Sequence, residues 1–135
     1  MKRRLTLPND LRQIPQLEGF LEEIFGSVNV TPEISSGVNL ALEEAVSNVM
    51  KYGYAPGSEG FVDIEAVVRK GSLEFIVTDT GIPFDPTAAE MPDTTLGVEE
   101  RPIGGLGIYL VRTMMDKVSY RREDGRNILT MTKKI

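Results

Sequence analysis

Apolar positions recur along the chain with two periods, and the switch between them lays out the elements. Leu5 and Leu7 alternate with polar neighbours over 2–7, which predicts a short edge strand closed by Pro8. Leu11, Ile14, Leu17, Leu21, Ile24 and Phe25 then follow helical spacing, with Asn9 or Asp10 as N-cap and Gly26 as stop. Pro15 belongs near a first turn, so this helix starts later than its apolar stripe suggests. Thr31-Pro32 opens a longer helix to Tyr52, striped by Ile34, Val38, Ala41, Leu42, Ala45 and Val49 and stopped at Gly53. Strict alternation returns in 61–69 (Val62, Ile64, Ala66, Val68) and 72–78 (Leu73, Phe75, Val77), joined by Lys70-Gly71 as an antiparallel hairpin. A helix over 106–115 precedes a second pair of strands, 117–122 and 127–133, joined around Glu123-Asp124-Gly125-Arg126.

From Gly81 to Gly104 the periodicity vanishes and prolines and glycines interrupt the chain. So long a connection inside a compact domain predicts a lid or binding segment, placed at about 85–103. The element order predicts an α+β fold: a two-layer sandwich in which a mixed, mostly antiparallel sheet is covered on one face by about three helices. A length of 135 residues predicts one domain over 1–135.

Composition narrows the chemistry. With no Cys and no His, disulfides, thiolate metal sites and imidazole catalysis are excluded, leaving carboxylates, hydroxyls, amides, backbone N–H groups or a bound cation. A formal charge of −5 argues against a general nucleic-acid surface. No apolar run approaches the roughly 20 residues of a spanning helix, and Met1 to Gln13 lacks the pattern of a secretory leader, so the expected location is the cytoplasm.

Three segments offer chemistry. Glu44 and Asn48 lie four apart on the long helix and project from one face, where a carboxylate and an amide can hold hydrated Mg²⁺ and a nucleophile. The plainer reading is a solvated helix edge. Asp79, leaving a strand two residues before Gly81, can present an acceptor to a planar base; the plainer reading is a turn in which Asp79 bonds its own backbone and Gly81 takes positive φ. Gly104, Gly105, Leu106 and Gly107 run into a helix whose first N–H groups form an anion site. The dinucleotide and Walker glycine patterns do not fit.

Taken together in this order, the helical E-x-x-x-N, the D-x-G after a strand and the G-x-G opening a helix after a lid resemble the GHKL (Bergerat-fold, histidine-kinase-like) ATP-binding domain. Within it, LALEEAVSNVMKYGY, VTDTGIPFDP and RPIGGLGIYLVRTMMDKVSYRREDGRN are similar to the serine-protein-kinase anti-sigma factors of bacterial partner-switching systems. The resemblance runs over nearly the whole chain. It implies ATP and Mg²⁺ as cofactors, Asn48 as metal ligand and Glu44 as the catalytic carboxylate, with Glu43 its rival because only one of two adjacent residues can face Asn48. It also implies that Asp79 accepts the adenine amine, that Gly81 lets the base approach, and that Gly105 and Gly107, with Gly104 and Leu106 beside them, frame the phosphates. Arg101 is the one basic residue of the lid able to reach the γ-phosphate, and Lys51 and Arg112 are further candidate cations.

The activity implied is Mg²⁺-ATP-dependent phosphorylation of Ser or Thr on a STAS-domain anti-sigma-factor antagonist, with sequestration of a sigma factor or comparable target, and with a homodimer as an implied assembly. Two alternatives stay open at this stage: a non-catalytic ATP-sensing module that binds its partner without phosphorylating it, and a structural domain whose three segments are turns and helix edges.

Overall fold

The computed structural model describes residues 1–55, 58–88 and 105–135. Strands β1 (Lys2–Pro8), β2 (Phe61–Arg69), β3 (Ser72–Asp79), β4 (Lys117–Glu123) and β5 (Arg126–Lys134) form one five-stranded sheet in the order β1-β2-β3-β5-β4. Helices α1 (Ile14–Ser27), α2 (Pro32–Asn48) and α3 (Gly105–Met114) complete the described elements. Every pairing among the described residues is antiparallel, where a mixed, mostly antiparallel sheet was expected. β1 is an edge, as its short alternating pattern predicts, and β4 is the other.

Alternation decides which face is covered. Val62, Ile64 and Ala66 of β2, Leu73, Phe75 and Val77 of β3, and Leu129 and Met131 of β5 point inward with Leu7 and are buried. They meet Leu17, Leu21 and Ile24 of α1, Val38, Ala41, Leu42, Ala45 and Val46 of α2, and Val111 of α3 in one core. The intervening residues of the same strands, such as Asp63, Glu65 and Glu74, are half-buried on the opposite face. On that outer face Asp63 links β1 to β2, accepting from Arg4 Nε at 2.9 Å and Thr6 Oγ1 at 2.7 Å. Burial alone would raise the Asp63 pKa; the Arg4 and Thr6 hydrogen bonds and the Arg4 charge outweigh it and hold it low.

The helix boundaries follow the local signals with small shifts. Asp10 caps a 3₁₀ turn over Leu11–Gln13, accepting from Arg12 N at 2.9 Å, and α1 proper starts only at Ile14, with Pro15 in its first turn. Thr31 caps α2 by accepting from Ile34 N at 3.2 Å. The α-helix does not run to Tyr52: it ends at Asn48, and Val49–Gly53 continues as a π-helix. Positive φ occurs at Gly71 and at Asp124-Gly125, the tips of the two hairpins, where a tight reversal requires it. Met115 is buried and Met114 half-buried against the core, as expected of packing residues. Met114 lies so close to α2 that a Cβ on Gly37 would come within 3.3 Å of its Sδ.

Candidate nucleotide site

The last residues of α2 supply the first wall. Asn48 is 9% exposed and lines a cavity at the sheet's open end, with Ala45 one turn earlier and Val49 next to it. Its Nδ2 is sealed from solvent and has no hydrogen-bond partner among the described residues. A buried amide without a partner costs on the order of 1–3 kcal/mol, which marks Asn48 as a group set for a ligand. Glu44 is half-buried one turn back and is not part of the cavity wall. Glu43 turns to α1: a hydrogen bond with the Glu18 carboxyl, partial burial and the charges of Glu18 and Glu44 push its pKa above the ordinary glutamate range. Glu44 keeps the i to i+4 spacing to Asn48 on α2.

The π-helix carries the wall round to the next segment. Five residues of ideal α-helix turn about 500°, which would swing Gly53 roughly 140° away from Asn48; the wider i→i+5 ring returns it to nearly the same side. From there the Gly53 carbonyl accepts from Ile82 N at 2.9 Å. Tyr54 continues the connection: its hydroxyl accepts from Thr80 N at 2.9 Å and donates to Phe61 O at 2.9 Å. The ring lies over Gly60, where an added Cβ would meet it at 2.5 Å.

At the end of β3, Asp79 continues the inward face of Leu73, Phe75 and Val77 and is 5% exposed. Its Oδ1 accepts from Gly81 N at 2.8 Å and from Asn127 Nδ2 at 3.0 Å. The self-bonding turn of the plainer reading is therefore present, without the positive φ at Gly81 that went with it. Oδ2 has no protein partner among the described residues, in a side chain that lines the cavity. Gly81 itself is not part of the wall. The space beside its α-carbon is taken by Gly53, whose carbonyl oxygen would lie 2.2 Å from a Cβ placed there.

Asn127, Tyr120 and Arg122 were not among the sequence candidates, yet the first two line the cavity and all three hold its floor. Asn127 faces Asp79 across the β3–β5 ladder, is 6% exposed, and also donates to Ile82 O at 2.8 Å. Its Oδ1 accepts from Tyr120 Oη at 2.5 Å and from Phe84 N at 3.3 Å. Arg122 Nη1 donates to Gly81 O at 2.9 Å from the edge strand. The available signal was a polar side chain at 127 in step with Leu129 and Met131 on the buried face of β5.

The cavity has Ala45, Val49, Val77, Ile82, Phe84 and Leu129 as apolar walls and Asn48, Asp79, Asn127 and Tyr120 as polar points. A mostly apolar recess with a few fixed polar groups suits a heteroaromatic base. Gly105 opens α3, so the glycine run leads into a helix as predicted. Leu106 and Gly107 lie in its first turn, while Gly104 and Arg101 lie outside the described residues. Of the expected lid, Pro86–Ala88 forms a 3₁₀ turn whose Thr87 carbonyl accepts from the Arg112 guanidinium of α3, and 89–103 lies outside the described residues. Arg112 thus holds the start of that segment. Lys51 is exposed and borders a separate groove with Asn9 and Arg12, away from this cavity.

A family profile for the histidine kinase-like ATPase domain matches residues 7–133. The chain belongs to that family. Its curated relatives include the serine/threonine-protein kinase BtrW of Bordetella bronchiseptica, 30% identical over 95 residues that span 70% of this chain and 67% of the relative. The serine-protein kinase RsbW of Listeria monocytogenes is 30% identical over 107 residues, 76% of this chain and 68% of the relative. Among solved structures, that of the RsbU and RsbW domains of Rv1364c from Mycobacterium tuberculosis aligns with a TM-score of 0.70 at 15% identity, covering 99% of this chain and 32% of that longer one. The histidine kinase domain of the Erythrobacter litoralis EL346 blue-light-activated histidine kinase aligns at 0.60 and 18% identity, covering 95% of this chain and 61% of that one. At those identities the structures establish the fold, which is the expected one, and membership of an ATPase family implies ATP binding. No helix among the described residues is long and apolar enough to cross a membrane.

Proposed function

We propose that the chain is a Mg²⁺-ATP-dependent protein serine/threonine kinase of the partner-switching type. One observation carries the reading: at separate points of the cavity wall stand the buried Asn48 amide, whose Nδ2 has no partner among the described residues, and Asp79, whose described hydrogen bonds all fall on Oδ1. Asp79 suits the exocyclic amine of adenine, and Asn48, with its amide turned so that the oxygen faces the cavity, suits a cation at the phosphates.

The donor set fits Mg²⁺, which takes few protein ligands and completes its octahedron with water and phosphate oxygens. Asn48 would hold it by its amide oxygen, and rotating the amide by half a turn exchanges its two ends. When bound, the ion supplies charge neutralisation on the triphosphate. The chain's own residues do the rest. Asp79 fixes the base, the apolar walls exclude water from it, and the start of α3 at Gly105 to Gly107, with Gly104 and Arg101, receives the phosphates. Glu44 orients the substrate hydroxyl and takes its proton as the hydroxyl oxygen bonds to the γ-phosphorus and the bond to the ADP oxygen breaks.

The substrate is a Ser or Thr of a STAS-domain anti-sigma-factor antagonist, and the second partner a sigma factor or comparable regulatory target, bound by a cytoplasmic, homodimeric kinase. The names of the serine-protein kinase relatives support the class of reaction. A phosphate adds about −1.5 to −2 charges, enough to release a substrate from an acidic surface. Mixing the protein with Mg²⁺, γ-labelled ATP and the antagonist should transfer label to the antagonist, and Glu44→Gln should stop the transfer while ATP still binds. Unlabelled antagonist despite tight ATP binding would leave the non-catalytic sensor as the surviving alternative.

A further inference from the structure

Asn127 spends all of its hydrogen-bonding capacity inside the protein. Its Nδ2 donates to Asp79 Oδ1 at 3.0 Å and to Ile82 O at 2.8 Å, and its Oδ1 accepts from Tyr120 Oη and Phe84 N. An amide has two donor hydrogens and two acceptor lone pairs, so none is left for a ligand. The consequence falls on Asp79. Gly81 N and Asn127 Nδ2 both bond the same carboxylate oxygen, which fixes the rotation of the carboxylate and leaves Oδ2 as the acceptor without a partner among the described residues. The same amide holds the backbone of Ile82 and Phe84, whose side chains form the apolar walls on that side of the cavity.

We propose that Asn127 is the positioning residue of the base pocket: by fixing both Asp79 and the 82–84 turn it sets the preference for a 6-amino over a 6-oxo purine. A 6-oxo base would bring a carbonyl oxygen against the carboxylate, two acceptors facing each other. Discrimination is sharp only if the carboxylate cannot rotate or retreat. Tyr120 supports the arrangement from the neighbouring strand by orienting the Asn127 amide through its hydroxyl. The inference rests on the assignment of Asp79 as the adenine acceptor.

The test is equilibrium binding of ATP and of inosine triphosphate, each with Mg²⁺, to the wild-type protein and to Asp79→Asn, Asn127→Ala and Tyr120→Phe, with thermal unfolding of each variant alongside. The wild type should prefer ATP, and Asp79→Asn should lose the preference. Asn127→Ala should weaken ATP by about tenfold or more, the scale of a lost hydrogen bond to a charged group, with inosine triphosphate changing much less. Tyr120→Phe should shift the ratio in the same direction by a smaller factor, and it serves as the test if Asn127→Ala does not fold. A merely structural role for Asn127 would weaken both nucleotides equally; that result, or an unchanged ratio in folded variants, overturns the proposal. If Asp79→Asn keeps the full preference for ATP, the assignment of Asp79 is what fails.

Discussion

Gly53 and Gly81 touch through bare backbone: a Cβ on Gly81 would lie 2.2 Å from the Gly53 carbonyl oxygen, and the adjacent Ile82 amide donates to that same oxygen at 2.9 Å. The contact joins the end of the α2–π-helix run to the turn that carries Asp79. Because the obstructing atom is main chain, it cannot swing aside. Gly81→Ala should therefore cost about 2 to 3 kcal/mol in chemical denaturation and abolish ATP binding. Gly53→Ala meets nothing nearer than Val49 Cγ1 at 3.4 Å, with Asp79 Oδ1 next at 3.9 Å, and should cost less than about 1 kcal/mol. Equal losses from the two would show that the contact is not the constraint.

Asn48 should separate stability from function. Its Nδ2 makes no bond among the described residues, so Asn48→Leu, similar in volume and apolar, removes a penalty without breaking an interaction. The ligand-free variant should unfold at an equal or higher denaturant concentration, by up to about 1 kcal/mol. Its ATP affinity measured with Mg²⁺ should drop to the value measured with chelator. A clear loss of ligand-free stability would mean that the amide is bonded within the apo protein.

Glu43 and Glu44 should part in both pH dependence and activity. The Glu43 pKa is raised first by its hydrogen bond to Glu18, then by burial and by the charges of Glu18 and Glu44. A raised folded-state pKa makes its contribution fully favourable below the unfolded value, about 4.3, and that contribution is lost as pH rises through the folded value. At pH 7 Glu43→Gln should accordingly be at least as stable as wild type, with a higher melting temperature at low salt. The advantage should shrink as pH falls toward 4. Phosphotransfer should survive this change, whereas Glu44→Gln should lower kcat by about 10² to 10⁴. The reverse ranking would move the catalytic role to Glu43.

Tyr54→Phe removes one hydroxyl and strands two backbone groups, Thr80 N–H and Phe61 C=O. A loss of about 1 to 2 kcal/mol is expected in urea denaturation. Amide exchange at Thr80 should speed up by more than at residues in the middle of β3. Unchanged protection at Thr80 would count against the bridge.

Much of this architecture was legible in the sequence because burial on one face imposes a period. Val62-Ile64-Ala66 and Leu73-Phe75-Val77 announced their strands, Lys70-Gly71 their turn, and Thr31-Pro32 the start of α2. Glu44, Asn48, Asp79 and Gly105 stood out by residue type and spacing, and the fold brings Asn48 and Asp79 to one cavity. The π-helix at Val49–Gly53 was not legible, since widening a helical ring changes its register without changing which residues are apolar. Gly81 was read as room for a base to approach, or more plainly as a positive-φ turn; the structure shows neither a positive φ nor a place in the cavity wall, but a close backbone approach by Gly53 that only the fold reveals. Asn127 was passed over as the first residue of a strand, although an amide on the same face as Leu129 and Met131 signalled a buried polar group needing partners.

Asp79 and Asn127 form a rung of the ladder between β3 and β5, two strands separated in sequence by about fifty residues. Each belongs to its own local hairpin, β2 with β3 and β4 with β5, and either hairpin alone holds only half of the recognition pair. On the proposed assignment, a chain in which the two hairpins have not paired lacks the complete base site, and a ligand that binds only the finished sheet would add its free energy to the native state alone.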